Sequence, residues 1–270
     1  MPRILMTGAS GGIGTSLRKL LPPIYPDLVL SDIKTPADLA PHEKFKAAEL
    51  SDLAQVEAIC EGVDGILHFG GYSVEGSWET ILPSNIIGCY NLFEAARRKG
   101  VKRVVFASSN HAVGFYPRYH RIGTDVTPRP DGYYGVSKAF GEATGALYAD
   151  KHGLKVTCLR IGNFGDKPLD HRRLSIWLKP EDMVQLCRIG LEHPDIHFEI
   201  LYGASNNERS WWDNHRAYEL GYRPAGRAED FVAHAMAEQA KLKPDPVADF
   251  YQGGAFCSMG FSGDKSRIVE

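Results

Sequence analysis

The feature that most restricts this chain is a glycine-rich stretch set between a strand and a helix. Ile4-Leu5-Met6 reads as a short apolar strand. Thr7-Gly8-Ala9-Ser10-Gly11-Gly12-Ile13-Gly14 follows at once, and Ile13 to Leu21 continues with helical character. Glycines there let the backbone turn tightly and approach a pyrophosphate, whose charge would rest on the helix N-terminus. Such a turn works only inside a strand–helix–strand unit, and the chain supplies more of them. Leu28 to Leu30, Ile66 to Phe69, Val104 to Ala107 and Val156 to Ile161 read as further strands. Helical stretches at 52–61, 84–99 (stopping at Gly100) and 133–152 (stopping at Gly153) separate the last four of these five strands. The alternation predicts a parallel sheet with helices on both faces and right-handed crossovers.

Residues 1–165 are expected to form a dinucleotide-binding core. Residues 166–270 are expected to add the remaining strand or strands and a small substrate-binding cap, integral to a single domain. In that second part 180–190 reads as a helix opening on Pro180, Phe198 to Leu201 as a strand and Ala228 to Ala240 as a helix. The tail, with Lys243-Pro-Asp-Pro and Gly253-Gly254, reads as loop.

Charge and cysteines narrow the class. Lys+Arg is 31 and Asp+Glu 33, for a net charge of -2, which argues against a nucleic-acid or membrane-surface partner. The five cysteines are odd in number and contain no C-x-x-C, so neither a disulfide framework nor a zinc site is expected, and a reducing, cytoplasmic location fits. No apolar run approaches the ~18 residues that span a bilayer. The histidines form no H-E-x-x-H, and no metal is expected.

Asp32 closes the second strand, 18 residues past Gly14. A carboxylate there accepts from both hydroxyls of an adenosine ribose and repels a 2′-phosphate, so NAD is expected rather than NADP; Lys34 weakens that preference slightly. Asp32 reads alternatively as a turn residue before Pro36. The expected cofactor contacts are Gly8, Gly11, Gly12, Ile13, Gly14, Asp32, Asp52, Leu53, Phe69, Gly70, Gly71, Tyr134, Lys138 and Ile161. For Asp52 a helix N-cap is as good a reading as an adenine contact.

Tyr134 and Lys138 lie four apart on a predicted helix and share a face. Ser109 ends the fourth strand, on the edge where open α/β sheets place ligands. A phenol with a pKa near ~10 is a poor base at neutral pH, and a nearby cation favours the phenolate. Tyr134 is then expected to take a hydroxyl proton while hydride leaves the same carbon, with Ser109 holding the reacting oxygen.

The Thr-Gly-x-x-Gly-x-x-Gly turn, the strand-two Asp, Tyr-x-x-x-Lys and the upstream Ser together resemble the extended short-chain dehydrogenase/reductase family, as does Asn85-Ile-Ile-Gly88-Cys-Tyr-Asn91-Leu. Further segments narrow the resemblance. They are Ser108-Ser-Asn-His-Ala-Val-Gly-Phe-Tyr-Pro117, Arg129 to Glu142, Arg160-Ile-Gly162, Leu174-Ser-Ile-Trp177, Tyr202-Gly-Ala-Ser-Asn206, Trp211-Trp-Asp-Asn214 and Gln252-Gly-Gly254. These look like the uronate dehydrogenases, nearly to the C-terminus. The resemblance implies an α/β, Rossmann-type doubly wound parallel sheet and oxidation of C1 of glucuronate or galacturonate by NAD to an aldarolactone.

It also implies that Tyr134 is the base, Lys138 its partner and Ser109 the oxygen ligand. Ser73, Asn110 and His111 would line the sugar site. An arginine before Leu174 would clamp the C6 carboxylate, Arg172 being preferred to Arg173. Gly12 stands where some members carry Gln, and Asn163 where they carry Ser; both positions bear on sugar hydroxyls. Trp211-Trp212 reads as packing rather than as a sugar platform. A dimer or higher homo-oligomer is expected through helices 84–99 and 133–152. Two other functions share this fold: a nucleotide-sugar epimerase or dehydratase, and a non-catalytic NAD sensor.

Overall fold

The computed structural model describes residues 1–268; the last two residues of the expected 166–270 segment lie outside them. Nine strands alternate with eleven α-helices among those residues. The order is β1 Ile4–Thr7, α1 Gly12–Leu20, β2 Leu28–Asp32, β3 Lys44–Ala47, α2 Leu53–Ile59, β4 Gly65–His68, α3 Trp78–Ile81, α4 Gly88–Arg98, β5 Arg103–Ser109 and α5 Tyr133–His152. Then come β6 Lys155–Ile161, β7 Asn163–Phe164, α6 His171–Ile176, β8 Trp177–Leu178, α7 Pro180–Glu192, β9 Phe198–Gly203, α8 His215–Glu219, α9 Val232–Gln239, α10 Pro246–Phe250 and α11 Ala255–Ser258.

Seven strands form one parallel sheet in the order β3-β2-β1-β4-β5-β6-β9. The strand order reverses between β1 and β4, and the carboxyl ends there open a crevice for ligands. The side chains obey the two-residue period of a strand. Ile4, Met6, Val105 and Ala107 enter one core with Leu17 of α1 and Met183 and Leu186 of α7. Leu5, Val104 and Phe106 enter the other, with Val56 of α2, Leu92 of α4 and Tyr148 of α5. Both faces are therefore covered, as an all-parallel sheet requires.

Three elements differ from the expectation. β3 is an edge strand whose Lys-Phe-Lys-Ala stretch stays largely exposed, and so it carries too little apolar signal to register as a strand. Helix 84–99 begins earlier and is not uniform. A wide π-type turn at Leu82–Ile87 follows α3 and leads into α4. The tail is not loop throughout: Pro246–Phe250 and Ala255–Ser258 are short helices, the first capped by the Asp245 carboxylate on the amides of Val247 and Ala248. α5, by contrast, stops at Gly153 in the left-handed conformation, φ 72°.

The second part of the chain supplies β9 and a layer over the carboxyl end of the sheet. Trp212 stacks on Tyr202 at 4.6 Å and is buried with Trp211 among Val113, Ile122 and Ile176, so the tryptophan pair is packing. No helix among the described residues is long and apolar enough to cross a membrane.

Candidate active site

A cleft of about 630 Å³ opens at the strand-order reversal. Of the expected cofactor and sugar contacts, Gly8, Gly11, Gly12, Ile13, Gly14, Asp32, Phe69, Gly70, Gly71 and Ser73 line it. Gly8 has φ 71°, and a Cβ there would lie 2.5 Å from the Phe69 carbonyl, so the turn and the end of β4 can approach each other only through glycine. Asp32 accepts from the amides of Ser10 (2.9 Å) and Ile33 (2.7 Å), which fixes its carboxylate at the rim. A helix N-terminus, a backbone cradle and an anchored carboxylate are the chemistry that holds a dinucleotide, so the residues present fit NAD.

Asp52 and Leu53 do not line this cleft. Asp52 is the N-cap of α2, accepting from the Ala54 and Gln55 amides, and Leu53 packs on the core; Ala48, Glu49 and Leu50 form that wall instead. Ile161 is buried at the end of β6, opposite Ser109 in register. His68, unremarked in the sequence as a polar group, is fully enclosed. Its Nδ1 shares a hydrogen bond of 2.7 Å with the Thr7 hydroxyl, which accepts from the Gly70 amide at 3.2 Å, tying β1 to the glycines that follow β4. Burial pushes the His68 imidazole down to about 3, so it is neutral.

Tyr134 and Lys138 share the inner face of α5, both buried. The Lys138 ammonium donates to the Ala107 carbonyl at 2.8 Å and stands 5.3 Å over the Tyr134 ring. Ser109 acts on the Tyr134 hydroxyl in favour of the phenolate, and its own oxygen accepts from the His111 amide at 3.2 Å. The expected lowering of the Tyr134 pKa is not produced by the protein's own groups. Burial pushes the phenol up to about 12 against the opposing influence of Ser109, and burial lowers Lys138 to about 8. Burial thus disfavours the ammonium as well as the phenolate, and Lys138 loses its proton before Tyr134 does.

Three contacts that the sequence reading missed hold this face. Glu75, from the loop after β4, accepts from the amides of Tyr133 (2.9 Å) and Tyr134 (3.0 Å), placing a carboxylate at the N-terminus of α5. Asn85, in the wide turn, bonds Tyr72 on the cleft wall and donates to Ser137 of α5 at 3.1 Å. Behind the site Arg160 grips Glu142 with two bonds of 2.9 Å, and Ser108 donates to the same carboxylate at 2.6 Å. That buried pair locks α5 to β5 and β6 one turn past Lys138. Periodicity marks such positions only as buried, and their polarity was the available signal.

The residues expected to meet the sugar draw on the second part of the chain. Arg172 donates through Nε to the Gln252 carbonyl at 2.7 Å. With its amide turned to satisfy both neighbours, Asn110 donates to the Ile161 carbonyl (3.1 Å) and accepts from Arg172 Nη2 (2.9 Å). No carboxylate among the described residues forms an ion pair with Arg172. Burial and the repulsion of Arg118 and Arg173 push the Arg172 guanidinium down to about 10, still cationic at neutral pH. Arg173, in contrast, is paired with Asp170 on its own helix. Gly254, at φ 67°, lies on the Arg172 guanidinium, where a Cβ would be 2.7 Å from Nε. Phe256 stacks on His111 at 4.0 Å, with Tyr134 edge-on to both. The C-terminal segment is thus a wall of the site. Asn163 lies in the small β7–β8 pair, next to cleft-lining Phe164.

Fold and site together define a Rossmann-type dinucleotide-binding protein with a Tyr–Lys–Ser face and an arginine, Arg172, held beside Asn110. A model of the NAD dependent epimerase/dehydratase family matches residues 4–195. The uronate dehydrogenase of Pseudomonas putida is 46% identical over 96% of both chains. A crystal structure of uronate dehydrogenase from Agrobacterium tumefaciens, a tyrosine-to-alanine variant complexed with NAD, superimposes with a TM-score of 0.91 at 41% identity, covering 96% of this chain and 97% of that one. Glucuronic acid dehydrogenase from Chromohalobacter salexigens does so with a TM-score of 0.91 at 41% identity and the same coverage. The chain belongs to the NAD dependent epimerase/dehydratase family and, within it, to the uronate dehydrogenases.

Proposed function

We propose that this protein oxidises the C1 hydroxyl of hexuronates, glucuronate and galacturonate, to the aldarolactone with NAD as oxidant. The observation that carries the reading is Arg172, a guanidinium held by neutral acceptors and without an acidic partner, beside Asn110 and His111. A neutral sugar gives no partner to a half-buried guanidinium that makes no ion pair of its own, whereas a C6 carboxylate can engage it through two bonds. NAD bound in the cleft supplies the hydride acceptor.

The chain's own residues supply the rest. Arg172 fixes the carboxylate end of the sugar, and Ser73, Asn110, His111 and Asn163 contact its hydroxyls. Ser109 holds the C1 oxygen, and Tyr134 takes the proton from it. Lys138 keeps a positive charge beside Tyr134 at neutral pH and would help hold the cofactor when it is bound. Phe256 and the Gly253–Gly254 turn exclude water. The reaction is tested by incubating protein with glucuronate and NAD and recording proton spectra of the fresh mixture alongside NADH absorbance. Lactone and NADH rising in equal amounts is the expected result. Sugar interconversion without accumulation of NADH would instead establish the epimerase reading.

We also propose a second copy of the chain as partner, in a reducing, cytoplasmic setting. Tyr133, Val136, Phe140 and Leu147 form an exposed apolar stripe on α5, and Ile87 and Tyr90 extend it at α4. The five cysteines are all free and buried. Sedimentation should give at least a dimer, and Phe140→Glu should dissociate it.

A further inference from the structure

Asp131 stands apart from every role above. Its side chain is fully buried in the loop that leads into α5, and its Oδ2 meets His111 Nδ1 at 2.6 Å. Two glycines from different parts of the chain make room for that carboxylate. A Cβ at Gly114 would lie 2.0 Å from Oδ2, and one at Gly253, in the C-terminal segment, 1.9 Å. Cys257 adds a thiol at 3.8 Å, while Oδ1 has no partner. Enclosing a carboxylate this way is costly unless the bond it makes matters.

That bond has a fixed direction. A carboxylate only accepts, so the proton between the two groups belongs to His111 Nδ1. The His111 ring is stacked on Phe256 and edged by Tyr134, which leaves Nε2 as its remaining polar atom. Burial disfavours the imidazolium despite the carboxylate, so the ring is neutral and Nε2 carries a lone pair. The charged and titratable groups acting on the pair are Arg172, Glu75, Tyr134 and Cys257.

We propose that Asp131 is a positioning residue that holds His111 in its Nδ1–H form, so that His111 Nε2 meets the sugar as a hydrogen-bond acceptor and selects a hydroxyl that can donate to it. The sugar half of this inference rests on the reading under Proposed function; the tautomer half does not. The two are separable by experiment. Long-range proton–nitrogen spectra of protein carrying nitrogen-15 histidine report the tautomer directly, with His111→Gln assigning the signal. The expected result at mildly alkaline pH is a neutral ring with the proton on Nδ1. A proton on Nε2, or an imidazolium, would overturn the proposal whatever the substrate proves to be.

Asp131→Asn then tests the consequence. Turning the amide group toward Nδ1 leaves its oxygen where Oδ1 already lacks a partner, so the variant should move the proton to Nε2. KM for the uronate should rise about tenfold, the size expected when a buried acceptor becomes a donor facing a donor, with kcat changed less than about threefold and NAD affinity unchanged. An unchanged KM with the tautomer moved would sink the selection role. Should Asp131→Asn not fold, wild-type spectra with and without uronate decide: Nε2 should shift on binding, and no shift contradicts the contact.

Discussion

The cofactor cleft and the face proposed for the sugar are built by opposite means. The cleft comes from backbone: a turn at Gly8, the end of β4 packed against it, and one carboxylate, Asp32, anchored by two neighbouring amides. Its essential pieces sit within the first 71 residues and each follows a strand. The sugar side comes from side chains gathered from far apart. Asn110 and His111 follow β5, Asp131 precedes α5, Arg172 opens α6, and Gln252, Gly254 and Phe256 arrive from the C-terminal segment. Backbone recognition of a pyrophosphate tolerates side-chain change around it. A compartment of converging side chains is tuned by each of them, and this is where one fold changes substrate.

The comparison breaks most visibly at the group that serves both halves. Tyr134→Phe should cut turnover about 10³-fold, the scale of a lost general base, while NAD binding stays within about twofold of wild type by fluorescence titration. Retained turnover would mean that the proton leaves by another route.

Next in size is the clamp. Arg172→Met should lower kcat/KM for uronates about 10²-fold, as removal of a charged partner usually does, without affecting NAD affinity. Arg173→Met, which breaks only the pair with Asp170, should change it less than about threefold. Equal effects at both positions would assign the carboxylate to the wrong arginine.

A smaller effect confined to the other half is expected of Gly8→Ala. Left-handed backbone costs an L-residue about 1–2 kcal/mol, and the added methyl meets the Phe69 carbonyl. NAD affinity should fall about tenfold, and KM for the uronate extrapolated to saturating NAD should stay put. A parallel loss on both substrates would show that the halves are not independent.

These distinctions follow what the sequence made legible. The glycine turn, Asp32, and the Tyr134–Lys138 face were readable because each is local and placed by one strand or helix. The Arg172 position was readable only through resemblance, since nothing in the spacing says that residue 172 meets residue 252. Gln252 is wholly buried, bonding Trp212, Pro117, His120 and Arg172, yet it stands in a stretch whose prolines and glycines read as loop. Short helices held by tertiary contacts leave little periodicity to read. Asp52, for which an N-cap and an adenine contact read equally well, caps α2 and does not line the cleft.

A prediction on stability rather than binding concerns the seam between β1 and β4. His68 titrates near 6.5 when unfolded and near about 3 when folded, because burial excludes its charge. The unfolded chain therefore binds more protons between those values. The stability this group contributes is present above about pH 6.5 and is lost as pH falls toward 3, with a limiting slope of ~1.4 kcal/mol per pH unit. His68→Gln should flatten the acid limb of urea-unfolding stability by up to that slope. An unaltered limb would place the acid sensitivity elsewhere.

The central claim is that one compartment takes NAD and the other a sugar carboxylate. Initial rates of NADH formation with glucuronate, galacturonate and glucose in parallel, each repeated with NADP, test it most directly. The account predicts rapid NADH from both uronates, little from glucose and little reduction of NADP. Equal rates on glucose and glucuronate would contradict the carboxylate compartment, and with it the role given to Arg172.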